Sequence, residues 1–372
     1  MRCLWIKRRE GENYIKGGID MKEKKFVLIF LAVVLVFSLS IASAGARKEK
    51  VTEKDMYNVA FSNVWEGNTW GVQSKAEFYA EVDRQKAAGR VDNVYYANAE
   101  FNAEKQVSDL EDLLTKDIDI LIIQPVNPPA VSSVIEDFYD RGTIIIPCVS
   151  PLVTDKYTAS LMSDDREFGE TGAKFLVEAL DGKGNIIALD GMDGITVAIN
   201  RWEGAKSVFD KYPGIKILGK TFADWDYAKG KAASENFLAA FPNIDGVWAS
   251  GGAMTQGAIE AFVEAGRPLV PMSGEDNNGF LKLWKKYKGQ DKFTAVGCSM
   301  PTYFFAEGLK LGLDIAEGKT EVGVDIEKDQ VLHVYTITED NLGQYVRPDL
   351  PDSFWANTHM DEDQIKALFP GE

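Results

Sequence analysis

Residues 91–149 read VDNVYYANAEFNAEKQVSDLEDLLTKDIDILIIQPVNPPAVSSVIEDFYDRGTIIIPCV, and this stretch decides the fold class. Val91 to Ala97 reads as a strand and Glu104 to Leu114 as an amphipathic helix. Ile118 to Ile123 is apolar apart from Asp119, as a strand covered on both faces requires. A helix over Ala130 to Arg141 and a strand over Thr143 to Val149 follow. Upstream, Tyr57 to Ser62 is strand-like and Trp70 to Ala88 helical. The order βαβαβαβ predicts a parallel, doubly wound sheet.

The pattern then restarts. A strand-like Tyr157 to Met162 leads to a helix at Arg166 to Leu180. Strands follow at Asn185 to Leu189, Ile215 to Phe222, Gly246 to Ala249 and Leu269 to Met272. Between them lie helices at Ala198 to Lys211, Asp226 to Phe241 and Met254 to Ala265. A strand at Phe293 to Ser299, a helix at Tyr303 to Glu317 and a strand at Val331 to Ile337 are too few for a third domain. They are expected to return and complete the first two. The fold class is therefore α/β, with two doubly wound parallel-sheet lobes. The expected limits are 51–163 plus 300–325 for the N-terminal lobe and 164–299 plus 326–372 for the C-terminal lobe.

Composition agrees with a folded chain of about two domains, at roughly 150 residues each. The 372 residues are 45% apolar and 26% charged. With 41 basic and 57 acidic residues the formal charge is -16. That balance excludes nucleic acid as a partner, because phosphate neutralisation needs a basic surface. The histidines number two, His333 and His359, so histidine-based metal or triad chemistry has little to work with.

Lys22 to Lys25 read KEKK, Phe26 to Ile41 is apolar apart from Ser38 and Ser40, and Ala42-Ser43-Ala44 follows. A basic segment, an apolar core and a small-residue cleavage site predict a secretory signal peptide. Met21 sits where such a peptide should begin, so residues 1–44 read as an upstream extension plus the signal. Removing them leaves 33 basic and 53 acidic residues, a charge of -20 over 328 residues. No cysteine follows the apolar run to carry a lipid, and a soluble periplasmic protein is expected. Cys148 and Cys298 end apolar, strand-like runs and read as buried thiols; an oxidising compartment leaves a disulfide conceivable.

Five motifs, in order and spacing, resemble the periplasmic sugar-binding proteins of ABC transporters, in the ribose-binding-protein branch of the type I periplasmic binding proteins. They are VAFSNVWEGNTWG (Val59 to Gly71), IDILIIQP (Ile118 to Pro125), DGMDGITVAINRWEGA (Asp190 to Ala205), FADWDYAKG (Phe222 to Gly230) and GVWASGGAMTQGAIEAFVEAG (Gly246 to Gly266). The resemblance spans roughly Asn58 to Ile337. It implies two similar lobes, joined by a three-strand hinge, that close on a ligand at the carboxyl ends of their strands.

A sugar presents hydroxyls and flat C–H faces, so its site needs carboxylates and amides beside aromatic rings. The resemblance places Trp65, Asn68 and Trp70 after the first strand and Gln124 after the third. It makes Trp225 the second-lobe aromatic, Glu275 and Asp276 the candidate acceptors of ligand hydroxyls, and Ser299 a polar residue of the hinge. It also shows departures. Val149-Ser150 replaces an Asp-Arg pair, Ile199 takes the place of a ligand-binding Arg with Asn200 and Arg201 beside it, and Gly251 replaces a cleft Asn. Asn200 joins the candidate site, and Arg201 matches an arginine of structural role. The lost polar residues and gained tryptophans imply a ligand other than ribose: a larger sugar, a disaccharide or a polyol.

No catalytic constellation stands out. Glu275-Asp276 are adjacent rather than opposed across a cleft, unlike the carboxylate pair of a glycosidase. Gly182-Lys183-Gly184 precedes a strand, so it is a turn rather than a phosphate loop. Asp361-Glu362-Asp363 lacks the spacing of a calcium loop. The expected function is that of a substrate-binding protein, not an enzyme. It would hand a sugar or polyol to an ABC permease and its ATPase subunits, as a monomer with no cofactor or metal. The alternative is a periplasmic sugar sensor feeding a chemoreceptor or histidine kinase.

Overall fold

The computed structural model describes residues 54–332 and 334–370, so the export signal and the choice between Met1 and Met21 lie outside the described residues. The strands β1 (Tyr57–Asn63), β2 (Val91–Asn98), β3 (Ile120–Ile123) and β4 (Ile144–Pro147) pair in parallel, in the order β2-β1-β3-β4. Helices α1 (Thr69–Ala87), α2 (Ala103–Leu114) and α3 (Pro128–Arg141) connect them. All of β3 is buried, which explains its apolar run. Asp119 stays just outside β3, where its carboxylate takes the Lys54 ammonium at 2.8 Å.

A second set follows: β5 (Ser160–Ser163), α4 (Asp165–Ala179), β6 (Lys183–Asp190), α5 (Thr196–Phe209), β7 (Gly214–Phe222), α6 (Tyr227–Ala240) and β8 (Gly246–Ala249). Then come α7 (Gly252–Glu264), β9 (Met272–Glu275), α8 (Asn278–Tyr287), β10 (Ala295–Ser299), α9 (Phe304–Ala316), β11 (Asp329–Leu332) and β12 (Tyr335–Ile337). The second sheet runs β12-β10-β9-β8-β6-β7, parallel except that β12 is antiparallel to β10. Helix α9 returns to pack on α1, β3 and β4 of the first sheet. Strand β5, between the two sheets in sequence, and β11, between β10 and β12, form a two-stranded parallel ribbon that belongs to neither sheet.

Two strand expectations are corrected. The run at Leu269 to Met272 is not the strand. Leu269 and Val270 are buried ahead of β9, which carries the polar residues Ser273 and Glu275 instead. Ladder bonds to β10 and side-chain partners make that polar strand tolerable: Ser273 Oγ accepts from Ala249 N at 3.1 Å. The single strand over Val331 to Ile337 is two. β11 pairs with β5, while β12 pairs with β10 in the opposite sense, and one straight strand cannot serve both partners.

Beyond β12 come α10 (Leu342–Tyr345) and α11 (Glu362–Leu368). The tail between them touches both halves. The Asn278 amide of α8 donates to the carbonyls of Arg347, Leu350 and Pro351. On the other side, Gln73 of α1 exchanges bonds with the Trp355 backbone, donating to its carbonyl at 3.0 Å and accepting from its N–H at 2.9 Å.

Candidate ligand-binding cleft

Short polar residues start most helices at the carboxyl ends of strands. Asn68, Asn102, Asn127, Asp226 and Asn277 each accept a backbone N–H in the first turn of the helix that follows. Three helices that follow parallel strands lack a side-chain cap: α5, which follows Ile195, α7, which follows Gly251, and α9, which follows Tyr303. The α5 terminus opens into a cleft, with Ile195, Thr196 and Val197 in its wall. Its first N–H groups can therefore donate to a ligand.

The cleft holds about 790 Å³ of empty space, counting its open mouth. Val64, Trp65, Asn68 and Trp70 enter after β1, Phe101 after β2, Gln124 to Val126 after β3, and Val149 and Ser150 after β4. From the second sheet come Trp225 after β7, Glu275 at the end of β9 and Met300 after β10. These are carboxyl ends of parallel strands, where open α/β sheets bind ligands.

Glycines seat the tryptophans. A Cβ on Gly67 would lie 2.0 Å from Trp65 Cζ2, and one on Gly191 would lie 2.1 Å from Trp225 Cζ2. A Cβ on Gly251 would lie 2.6 Å from Trp225 Cδ1, so the absence of a side chain at Gly251 is what admits the indole. The Trp225 Nε1 donates to Ser250 O at 3.1 Å. Three residues of the wall hold left-handed backbone: Phe101 (φ 57°), Val149 (φ 68°) and Trp225 (φ 53°). Each is a costly conformation for a bulky side chain, and such strain concentrates at ligand sites.

The charged floor is short of cations. Arg201 Nε lies 3.0 Å from Asp165 and its Nη1 lies 3.1 Å from Glu275, all three residues buried. The guanidinium also donates to Ser250 O and stacks over Phe168 at 3.7 Å. Asp276 adds a third buried carboxyl. Burial, only partly offset by Arg201, pushes Glu275 up to about 7. Burial and then the neighbouring Glu275 hold Asp276 well above the ordinary carboxyl range. A carboxyl poised in this way can accept or donate a hydrogen bond, which suits a hydroxyl partner.

The structure brings Trp65, Asn68, Trp70, Gln124, Trp225 and Glu275 together in the wall. It does not bring Asn200, Asp276 or Ser299 to it. Arg201 lines the cleft instead of Asn200, because Val197 and Arg201 are four apart and share a helix face, while Ile199 is 46% exposed. Asp276 and Ser299 are covered by the tail, through bonds to Asn357. Nor are Glu275 and Asp276 a solvated loop pair, since they are 4% and 0% exposed. Phe101, Met300 and Trp355 join the wall without a sequence signal that singled them out as ligand contacts, and Val149 and Ser150 line it at the place of the family's Asp-Arg pair. Cys148 and Cys298 are free, buried thiols facing different carbonyls, Phe304 O and Phe168 O.

A cleft of this kind, at the carboxyl ends of two parallel sheets, has the form of a solute-binding site. Residues 59–320 match the periplasmic binding protein domain, and the chain belongs to that family of solute-binding, non-enzymatic proteins. The xylitol-binding protein of Mycolicibacterium smegmatis is 29% identical over 262 residues, 70% of this chain and 72% of that one. The ribose import binding protein of Bacillus subtilis is 25% identical over 300 residues, 80% of this chain and 95% of that one. An ABC transporter solute binding protein from Bacillus halodurans C-125, solved with bound myo-inositol, shares the fold. Its TM-score is 0.68 at 22% identity, covering 79% of this chain and 99% of that one.

Proposed function

We propose that the protein captures a neutral sugar or polyol between its two lobes and delivers it to the permease of an ABC importer. The observation that carries this reading is one cleft that combines the rings of Trp65, Trp70 and Trp225 with the polar ends of Gln124, Glu275 and Arg201. Rings match the C–H faces of a polyhydroxylated ligand. The amide, carboxyl and guanidinium match its hydroxyls. Asn68 gives its side-chain oxygen to Gly71 N at 2.8 Å, so its amide hydrogens are the part left for a ligand. Relatives and a structural neighbour that bind xylitol, ribose and myo-inositol support the same class.

The lobes are residues 51–163 plus 300–325 and 164–299 plus 326–372, and β5, β11 and the link from β10 to α9 form the hinge. Export to the periplasm, a monomeric state, and permease and ATPase partners complete the proposal. A thermal-shift screen over sugars, polyols and nucleosides tests it. A ligand at a hundred times its Kd adds about 2.7 kcal/mol and raises the melting temperature. The ligand should be recovered unchanged. No shift with any sugar or polyol, or turnover of the ligand, would overturn the proposal.

A further inference from the structure

We infer that the C-terminal segment 351–359 is part of the ligand site and limits the size of the ligand, with Trp355 as the specificity-determining residue. The inference rests on the sugar reading above and goes beyond it. Trp355 stands in the cleft wall, as Trp70 does, and is 3% exposed. Three hydrogen bonds to α1 hold it there. Its Nε1 donates to Thr69 Oγ1 at 2.9 Å, its backbone N–H donates to Gln73 Oε1, and its carbonyl accepts from Gln73 Nε2. It also forms an antiparallel bridge with Asn277, so the ring is pinned between α1 and the start of α8. A side chain held this way cannot swing aside to admit a longer ligand.

Asn357 anchors the segment behind that wall. Its backbone N–H donates to Asp276 Oδ2 at 2.7 Å, and its amide donates to Ser299 Oγ at 3.2 Å. Its carbonyl accepts from the Thr302 backbone at 3.1 Å and from Thr302 Oγ1 at 3.0 Å. Asp276 and Ser299 follow or end β9 and β10, the same strand ends that put Glu275 and Met300 into the cleft. Polar groups at those strand ends would serve ligand hydroxyls. Here a backbone N–H and an amide of the chain itself have taken them. The segment therefore closes the cleft behind Trp355, and the Trp355 ring bounds the space left for a ligand. It leaves room for a ligand of monosaccharide size, a pentose, a hexose, a cyclitol or an acyclic polyol, and excludes a disaccharide. The segment also lies outside residues 59–320, so this wall is not part of the matched family domain.

The test is calorimetric titration of the full chain and of Trp355→Ala with xylitol, D-ribose, myo-inositol, maltose and trehalose. The wild-type chain should bind at least one of the first three and neither disaccharide. Trp355→Ala should shift the affinity ratio of disaccharide to monosaccharide-sized ligand by at least about tenfold towards the larger. An unchanged ratio in a folded Trp355→Ala, or a wild-type chain that takes a disaccharide as well as a monosaccharide, overturns the size limit and leaves the sugar reading standing. Binding of none of the five by either chain overturns both. If Trp355→Ala does not fold, Trp355→Leu keeps the apolar contact, removes the ring and carries the same criterion.

Discussion

The seat of Trp225 can be tested without touching Trp225. In Gly191→Ala the new Cβ would stand 2.1 Å from Trp225 Cζ2. Carbon atoms at ease are about 3.5 Å apart, so the ring must retreat by about 1.4 Å. The opposite side is closed, because Gly251 already lies against Trp225 Cδ1. Only the cleft is open. Moving there stretches the Nε1 bond to Ser250 O, now 3.1 Å, and reduces the space for a ligand. Overpacking costs about 1–3 kcal/mol and a lost hydrogen bond about 1 kcal/mol. Since the ring moves into the ligand's volume, a loss of about 1–3 kcal/mol in binding, roughly 5- to 150-fold, is expected. Thermal unfolding and calorimetric titration with the ligand found by screening read the two effects, and near-UV circular dichroism reads the altered indole environment. Gly266→Ala is the control, as its glycine has left-handed backbone with nothing within 4 Å of the added methyl. It should cost a little stability and no affinity. A Gly191→Ala chain with wild-type affinity and an unaltered near-UV spectrum would refute the idea that the glycines position the ring for the ligand.

Trp225→Ala should weaken ligand binding by at least about 1 kcal/mol, and unchanged affinity in a titration would make the ring a wall without a ligand role. Arg201→Met leaves Asp165 and Glu275 buried without their cation, so urea unfolding near pH 8 should show about 3–5 kcal/mol of destabilisation. The loss should shrink at acidic pH as the carboxyls take up protons, and a cost below about 1 kcal/mol would mean the triad is not desolvated as described. In the wild-type chain Glu275 is raised, first by burial, from 4.5 to about 7. It holds its proton more tightly folded than unfolded, so its contribution is complete below about pH 4.5 and is lost as the pH rises through about 7. Glu275→Gln should flatten that part of the stability profile, and an identical slope would assign it to other groups. Burial pushes the Cys148 thiol far up and the Cys298 thiol to about 12, so neither should react with a thiol reagent until the chain is unfolded.

Most of the architecture was legible because parallel sheets demand apolar runs, and β3, β4 and β8 are such runs. The helices were legible from their apolar period, although the one read from Ala130 begins at Pro128, where Asn127 caps it. Strand β9 was misread because its polar residues are satisfied by partners distant in sequence: Ser273 by Ala249 and Glu275 by Arg201. No local pattern reveals such a partner. For Asn200 and Arg201, one residue decides which side chain enters the cleft. The heptad face containing Val197 was the clue, and it favours Arg201. Trp355 was the least legible. Its segment has no regular element and reaches the cleft only through bonds to Gln73 and Thr69, made nearly three hundred residues away in the chain.

That last feature bears on how the protein comes into being. The residues shared with the family are synthesised first, and Trp355 and Asn357 after them. A chain emerging in order can build both sheets before it owns the wall that finishes its cleft. Competence to take up ligand then arrives late, as a seal set on an otherwise assembled molecule. A cut between α10 and α11, or a bulky fusion placed close behind Asn357, would spare the domain core and still alter which solutes are accepted.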